Sequence, residues 1–307
     1  MKKVLLATAA MVAFTGVASA DVNISGTARF GLKYTDTPAV GFSKTSLEKR
    51  ISVNVDVSTE TDGGLEFGGR IRIRSDEEAG VNTAYGAANT TLSGANLYVK
   101  SGGFKLTIGN ICGAIECMPG LYTQSVGLDG NGWSGLVTNT AGAGYFDWSA
   151  YSSNGGGNNG VEVEYTVGDF KAHVSYAGLN DATAVNRGAM YVSYKFGDWT
   201  AALGFQDSGV VGEDKTILSV QGKLGDFGVG IGYADNDGTD KITLNGSYKM
   251  GATTISAFVS DENSVAATDN PWGLGVKYDL GGATLVGGFS NSETGNKRAT
   301  AGVKFSF

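Results

Sequence analysis

Residues 50–75 read Arg50-Ile-Ser-Val-Asn-Val-Asp-Val-Ser-Thr-Glu-Thr-Asp-Gly-Gly-Leu-Glu-Phe-Gly-Gly-Arg-Ile-Arg-Ile-Arg-Ser75. On the first arm Ile51, Val53, Val55 and Val57 alternate with Arg50, Ser52, Asn54 and Asp56. A turn at Thr61-Asp62-Gly63-Gly64 follows, and then Arg70, Arg72 and Arg74 alternate with Ile71 and Ile73. Side chains on a strand switch faces at every residue. One face of this hairpin is therefore aliphatic and the other carries four arginines. A soluble sheet would cover the aliphatic face with a second layer. The alternative is that this face meets lipid and the arginines line a water-filled lumen.

The chain outward from this hairpin supports the second reading. Residues 1–20 carry Lys2 and Lys3, an apolar run over 4–14 and a small-residue site at Ala18-Ser19-Ala20. That is the pattern of a secretory signal, too short for a spanning helix. Residues 21–307 then form one domain. Their apolar runs are all broken within a few residues, yet Val, Ile, Tyr, Phe and Trp recur throughout, unlike disorder. There are 49 Gly and only 3 Pro, which suits many strands with tight turns. Without Lys2 and Lys3 the chain has 21 basic residues against 30 acidic ones, a formal charge of −9. An acidic chain is a poor match for nucleic acid.

Hairpins repeat along the second half. Strand, short turn and strand follow one another at 161–167 and 170–176, 189–196 and 199–205, 216–224 and 227–233, 241–250 and 253–259, and 272–280 and 283–289. The short turns are Gly-Asp, Gly-Gly or a lone Gly, a hairpin signal. They alternate with longer polar connections, the asymmetry of an up-and-down transmembrane barrel. The faces divide into outward sets such as Met190/Val192/Tyr194/Phe196 and inward sets such as Thr243/Asn245/Ser247/Lys249. Phe104, Phe170, Phe196, Trp199, Phe227, Tyr248 and Tyr278 gather beside the short turns, where an interfacial aromatic girdle belongs. The expected fold is all-β, an antiparallel barrel of sixteen strands. Eighteen are allowed if 136–140 and 145–151 form a further hairpin. Either barrel is too wide for side chains to fill.

The alternation stops at 109–135, the longest irregular connection in the chain. Such loops are usually functional or disordered. Here the expectation is a loop that folds inward and constricts the pore. It contains Cys112 and Cys117, for which export to an oxidising compartment predicts a disulfide. No His lies nearby to make a metal site with them. Arg29, Lys33, Arg50, Arg70, Arg72 and Arg74 are expected to project inward, with Arg74 near Arg50 across the hairpin. Opposite them the loop offers Glu116 and Asp129. A basic wall facing an acidic loop would set a transverse field at the narrowest point.

At this point the chain resembles the general porins of Gram-negative bacteria, and most closely the Rhodobacter-type porins. The residues that carry the resemblance are Asp21-Val-Asn-Ile-Ser-Gly-Thr-Ala-Arg29, Thr61-Asp-Gly-Gly-Leu-Glu-Phe-Gly68, Tyr278-Asp-Leu-Gly-Gly-Ala-Thr-Leu-Val-Gly-Gly288 and Gly302-Val-Lys-Phe-Ser-Phe307. It covers nearly all of the chain after residue 20 and is weakest over 111–158. It implies a homotrimer in the outer membrane, among lipid and lipopolysaccharide, with the third loop as an eyelet. It implies passive diffusion of small hydrophilic solutes without a cofactor. The alternating end with Phe305 and Phe307 is similar to the family's signal for the outer-membrane assembly machinery. Similar porins carry more acidic residues in this loop, sometimes with calcium, so calcium stays open here.

Other functions fit less well. The single histidine, His173, is expected inward beside Lys171 and Ser175, out of reach of a lipid ester, and it belongs to no catalytic motif. A substrate-specific channel would need an aromatic track along the lumen. Tyr191 and Tyr151 alone do not make one. A closed structural or adhesive barrel conflicts with the charged lining. Acidic outer loops favour cations at the mouth and the arginines favour anions at the eyelet, which predicts weak net selectivity.

Overall fold

The computed structural model describes residues 20–38, 43–77, 89–122, 126–129, 135–136, 160–178, 186–209, 212–263 and 268–307. The expected signal segment lies outside them apart from Ala20, as do Tyr151 and the proposed strand at 145–151. Among the described residues there are seventeen strand segments: β1 (Asp21–Thr35), β2 (Thr45–Glu60), β3 (Glu66–Glu77), β4 (Asn89–Leu92), β5 (Asn96–Ser101), β6 (Phe104–Gly109), β7 (Gly160–Val167), β8 (Phe170–Ala177), β9 (Arg187–Phe196), β10 (Trp199–Ser208), β11 (Lys215–Leu224), β12 (Phe227–Asn236), β13 (Thr239–Met250), β14 (Thr253–Glu262), β15 (Trp272–Asp279), β16 (Ala283–Asn291) and β17 (Lys297–Ser306).

Sixteen barrel strands result, because β4 and β5 are two parts of one. β3 pairs with β4 through Ile73↔Leu92 and with β5 through Arg70↔Asn96. Two residues of β3 therefore face three on the partner, Ser93, Gly94 and Ala95, which is a bulge. It is tied down on both sides of Arg72: Ser93 N donates to Arg72 O at 2.8 Å, and Arg72 N donates to Ser93 Oγ at 2.9 Å. Every strand pairs antiparallel with its neighbours, and β1 pairs with both β2 and β17. The ring has no edge, which satisfies the backbone inside a bilayer. At the seam Gly26 and Phe307 exchange both backbone bonds, at 2.7 and 3.0 Å.

The eighteen-strand alternative is removed by one pairing. β6 pairs directly with β7, from Phe104↔Tyr165 to Gly109↔Gly160, so no strand can be inserted between them. The described residues between them, from Asn110 to Leu136, all belong to the connection, which runs past the 109–135 read from sequence. This is the third of the long connections.

Alternation sorts the strands into two faces. Ile24, Phe30, Leu32, Ile51, Val57 and Ile73 are exposed on the outside, whereas Lys33, Glu48, Glu162, His173 and Thr243 are buried within the ring. Near the short turns Phe104, Phe196, Phe227 and Tyr278 stand out from the wall. Phe104 lies 4.3 Å from the Tyr165 ring and Phe227 stacks at 4.5 Å on Tyr248. Gly168, Gly197, Gly225 and Gly251 open four of these turns at φ 55, 61, 61 and 60°. Only glycine adopts that conformation without strain, as a tight hairpin with the strands' own twist requires.

Candidate functional site

The site is built by the connection after β6. It turns inward and lies on the inner wall. Ile111, Ala114, Ile115, Met118, Leu121, Val126, Leu128 and Leu136 are all buried, most of them completely. They form the underside of the loop, and each large one contributes about 1.5–3 kcal/mol by leaving water. Part of this underside packs with Tyr191, Ala202, Ile217 and Ala234 from β9 to β12. These four break the polar pattern of the inward face where the loop covers it.

Inward glycines make the bed on which the loop lies. A side chain at Gly160 would strike Ile111, at Gly204 Met118 and Ile115, at Gly232 Leu136, at Gly273 and Gly275 Val126, and at Gly31 or Gly302 Leu128. The loop thus crosses the lumen from β7 to the seam between β17 and β1. Sequence reading took the glycines for turn residues. The signal it missed was glycine at inward positions of strands.

Polar groups fix the loop at both ends. At its start Gly113 N donates to Glu162 Oε2 at 3.0 Å and Ala114 N to Ser175 Oγ at 2.8 Å. His173 sits 3.1 Å from the same Glu162 oxygen, buried inside the wall. A Cys112–Cys117 disulfide closes the turn around these anchors, with 6.1 Å between its Cα atoms. At the far end Leu128 N donates to Thr300 Oγ1 at 2.7 Å. Asp129 Oδ2 lies 3.4 Å from Lys33 Nζ and 3.2 Å from Arg298 Nη1. The expectation that Asp129 faces the basic wall from across the pore is therefore corrected. It is latched onto that wall, because the loop is long enough to reach the seam.

Glu116 lies in the part of the loop carried by β10 and β11, across the ring from β1 and β2. It is half-buried and accepts the Tyr122 hydroxyl at 2.8 Å. Burial pushes its carboxyl up to about 7, against the opposing pull of the Tyr122 hydroxyl.

The basic wall is real, but its register differs from the reading. Arg50 stands opposite Asp76 in β3, and Arg74 opposite Ser52, so Arg74 is only diagonal to Arg50. The close row runs across the seam instead: Lys304 of β17 faces Arg29 of β1, which faces Arg50 of β2. Directly opposed like charges destabilise a sheet. Here Glu48 offsets part of the cost by accepting Arg29 Nε at 2.7 Å. Lys304 Nζ also reaches the loop carbonyl of Gly127 at 3.3 Å. Arg72 Nε donates to Asn54 at 2.9 Å, and Arg70 Nε to Asp56 at 2.6 Å. The sequence reading missed Lys304, Glu48 and Arg298. Each was visible only as an inward parity position on its strand.

A closed antiparallel barrel with apolar outside, charged lumen and an inward third loop defines a water-filled outer-membrane channel. The chain belongs to the Gram-negative porin family, whose model matches residues 7–298. It is 28% identical to a porin of Fuscovulum blasticum over 305 residues, 94% of this chain and all of that one. It is 26% identical to a porin of Rhodobacter capsulatus, again over 94% of this chain. The fold matches that of an engineered Rhodopseudomonas blastica porin with a TM-score of 0.81, at 26% identity over 94% of this chain and 100% of the other.

Proposed function

We propose that the protein is a porin whose filter lies between the basic wall of Lys304, Arg29, Arg50, Arg72 and Arg74 and the loop that carries Glu116. The family and the fold make it an outer-membrane channel for passive diffusion. The single observation that supports this filter is the lateral row Lys304–Arg29–Arg50 beside the latched end of the loop. A dry core could not hold such a row, whereas a hydrated lumen can. Arg70, paired with Asp56, and Lys33, engaged with Asp129, are assigned to wall and latch rather than to the filter.

The same reading includes finer points. The working unit is a homotrimer in a membrane of lipid and lipopolysaccharide, made after cleavage behind Ala20. Phe305 and Phe307 present the end of the chain to the assembly machinery. No cofactor takes part in diffusion, and calcium is not needed to hold the loop, since Lys33 and Arg298 engage Asp129. The Cys112–Cys117 disulfide stiffens the turn that narrows the pore. The test is single-channel recording of purified protein in a planar bilayer. Stepwise, ohmic conductance is expected. Folded, heat-modifiable protein that never conducts would point to a closed barrel and overturn the reading.

A further inference from the structure

We infer that the vestibule below the loop holds a binding site for small multivalent oxyanions, the chemistry shared by phosphates and di- or tricarboxylates. This rests on the channel reading above, because the ligand must enter through the lumen. A half-open cavity of about 690 Å³ lies on the short-turn side of the loop. Its volume falls within the range of about 300–1,000 Å³ typical of small-molecule sites.

The charge of the lining is one-sided. Arg29, Arg50, Arg72, Arg74 and Lys304 line it, with Asp279 as the one carboxylate among the described lining residues. Asp279 is turned to its own hairpin, accepting Gly281 N at 2.8 Å. Four hydroxyl side chains and the Asn54 amide complete the polar rim. Guanidinium groups present planar forks that match carboxylate and phosphate oxygens two at a time. A chloride ion can satisfy only one such fork. An oxyanion with two or more charges can bridge Arg50 or Arg74 on one side and Lys304 on the other, and so relieve the like-charge row. Multivalent oxyanions should therefore dwell here, whereas monovalent anions pass.

The probe is inorganic pyrophosphate. Its binding is measured by calorimetry on folded, detergent-solubilised protein, and its block of current is measured in a planar bilayer in potassium chloride. The wild type is expected to bind and to show a saturable fall in current. Arg74→Gln with Lys304→Met should raise the half-blocking concentration about tenfold, corresponding to roughly 1.4 kcal/mol. Lys223→Met removes a cation near the short turns but on β11, across the ring, and should leave the block unchanged. Conductance before pyrophosphate is added reports on the channel itself. Conductance without saturable block overturns the site and leaves the channel standing. Equal loss of block in the Lys223→Met protein also overturns it, since overall charge would then explain the effect. Should the double variant fail to fold, Arg74→Gln alone carries the same test.

Discussion

The two halves of the inner wall follow different rules. From β17 through β1 to β3 the inward positions below the latched end of the loop include long, charged side chains, as in Lys304, Arg29, Arg50, Arg72 and Arg74. From β9 to β12 they include Tyr191, Ala202, Gly204, Ile217, Gly232 and Ala234, apolar or without a side chain. Both belong to one barrel with one alternation. The difference is what covers them: the open lumen at these charged positions, the loop at the second set. Inward polarity therefore encodes contact with water, and its interruptions mark where the loop rests.

The sharpest way to break this comparison is at the latch, where the loop meets the charged half. Asp129→Asn leaves Lys33 and Arg298 without their shared carboxylate. Removing one member of a buried ion pair costs about 3–5 kcal/mol, and the low end is expected here because the Arg298 side chain is partly exposed. The loop should become a substrate for limited proteolysis while the barrel keeps its heat-modifiable mobility. A loop as resistant as the wild type's would show that the latch does not hold it.

On the covered half, Gly204→Leu places a side chain where Met118 and Ile115 lie. Overpacking of this kind costs about 1–3 kcal/mol. The expected result is a displaced loop and larger single-channel conductance. Leu in place of Gly230, which faces Asn245 rather than the loop, should change conductance less. Equal effects at both sites would remove the idea of a glycine bed. Opening the disulfide, as in Cys112→Ser with Cys117→Ser, is the next step down. Closing so short a loop is worth on the order of 2 kcal/mol, and Glu162 and Ser175 still hold Gly113 and Ala114. More current noise is expected at nearly unchanged mean conductance.

The smallest effect concerns pH. With its carboxyl pushed up to about 7, Glu116 is charged above that pH and becomes neutral as pH falls through it. Acidification from about 8 to about 6 should shift permeability modestly toward anions. Glu116→Gln should abolish the shift. A shift that survives the substitution belongs to other groups of the channel.

Much of this was legible in the chain. Period-two alternation in Arg50–Ser75 fixes which arginines share a face, and Gly-Asp turns fix hairpin order. The loop's path was not, because it depends on contacts between residues far apart, such as Leu128 with Gly31 and Gly302. Nor was the seam legible. The row Lys304–Arg29–Arg50 joins the two ends of the chain, and no local pattern gives that register. The strand count was ambiguous for a related reason: only the pairing of β6 with β7 shows that the long connection adds nothing to the ring.

The central claim is that the charged half of the wall is the filter. The direct measurement is the reversal potential in a salt gradient for wild type and for Arg50→Ser/Arg72→Ser/Arg74→Ser in planar bilayers. The account predicts that the triple variant still conducts and that its permeability ratio moves severalfold toward cations. An intact channel with an unchanged ratio would contradict it and place selectivity elsewhere.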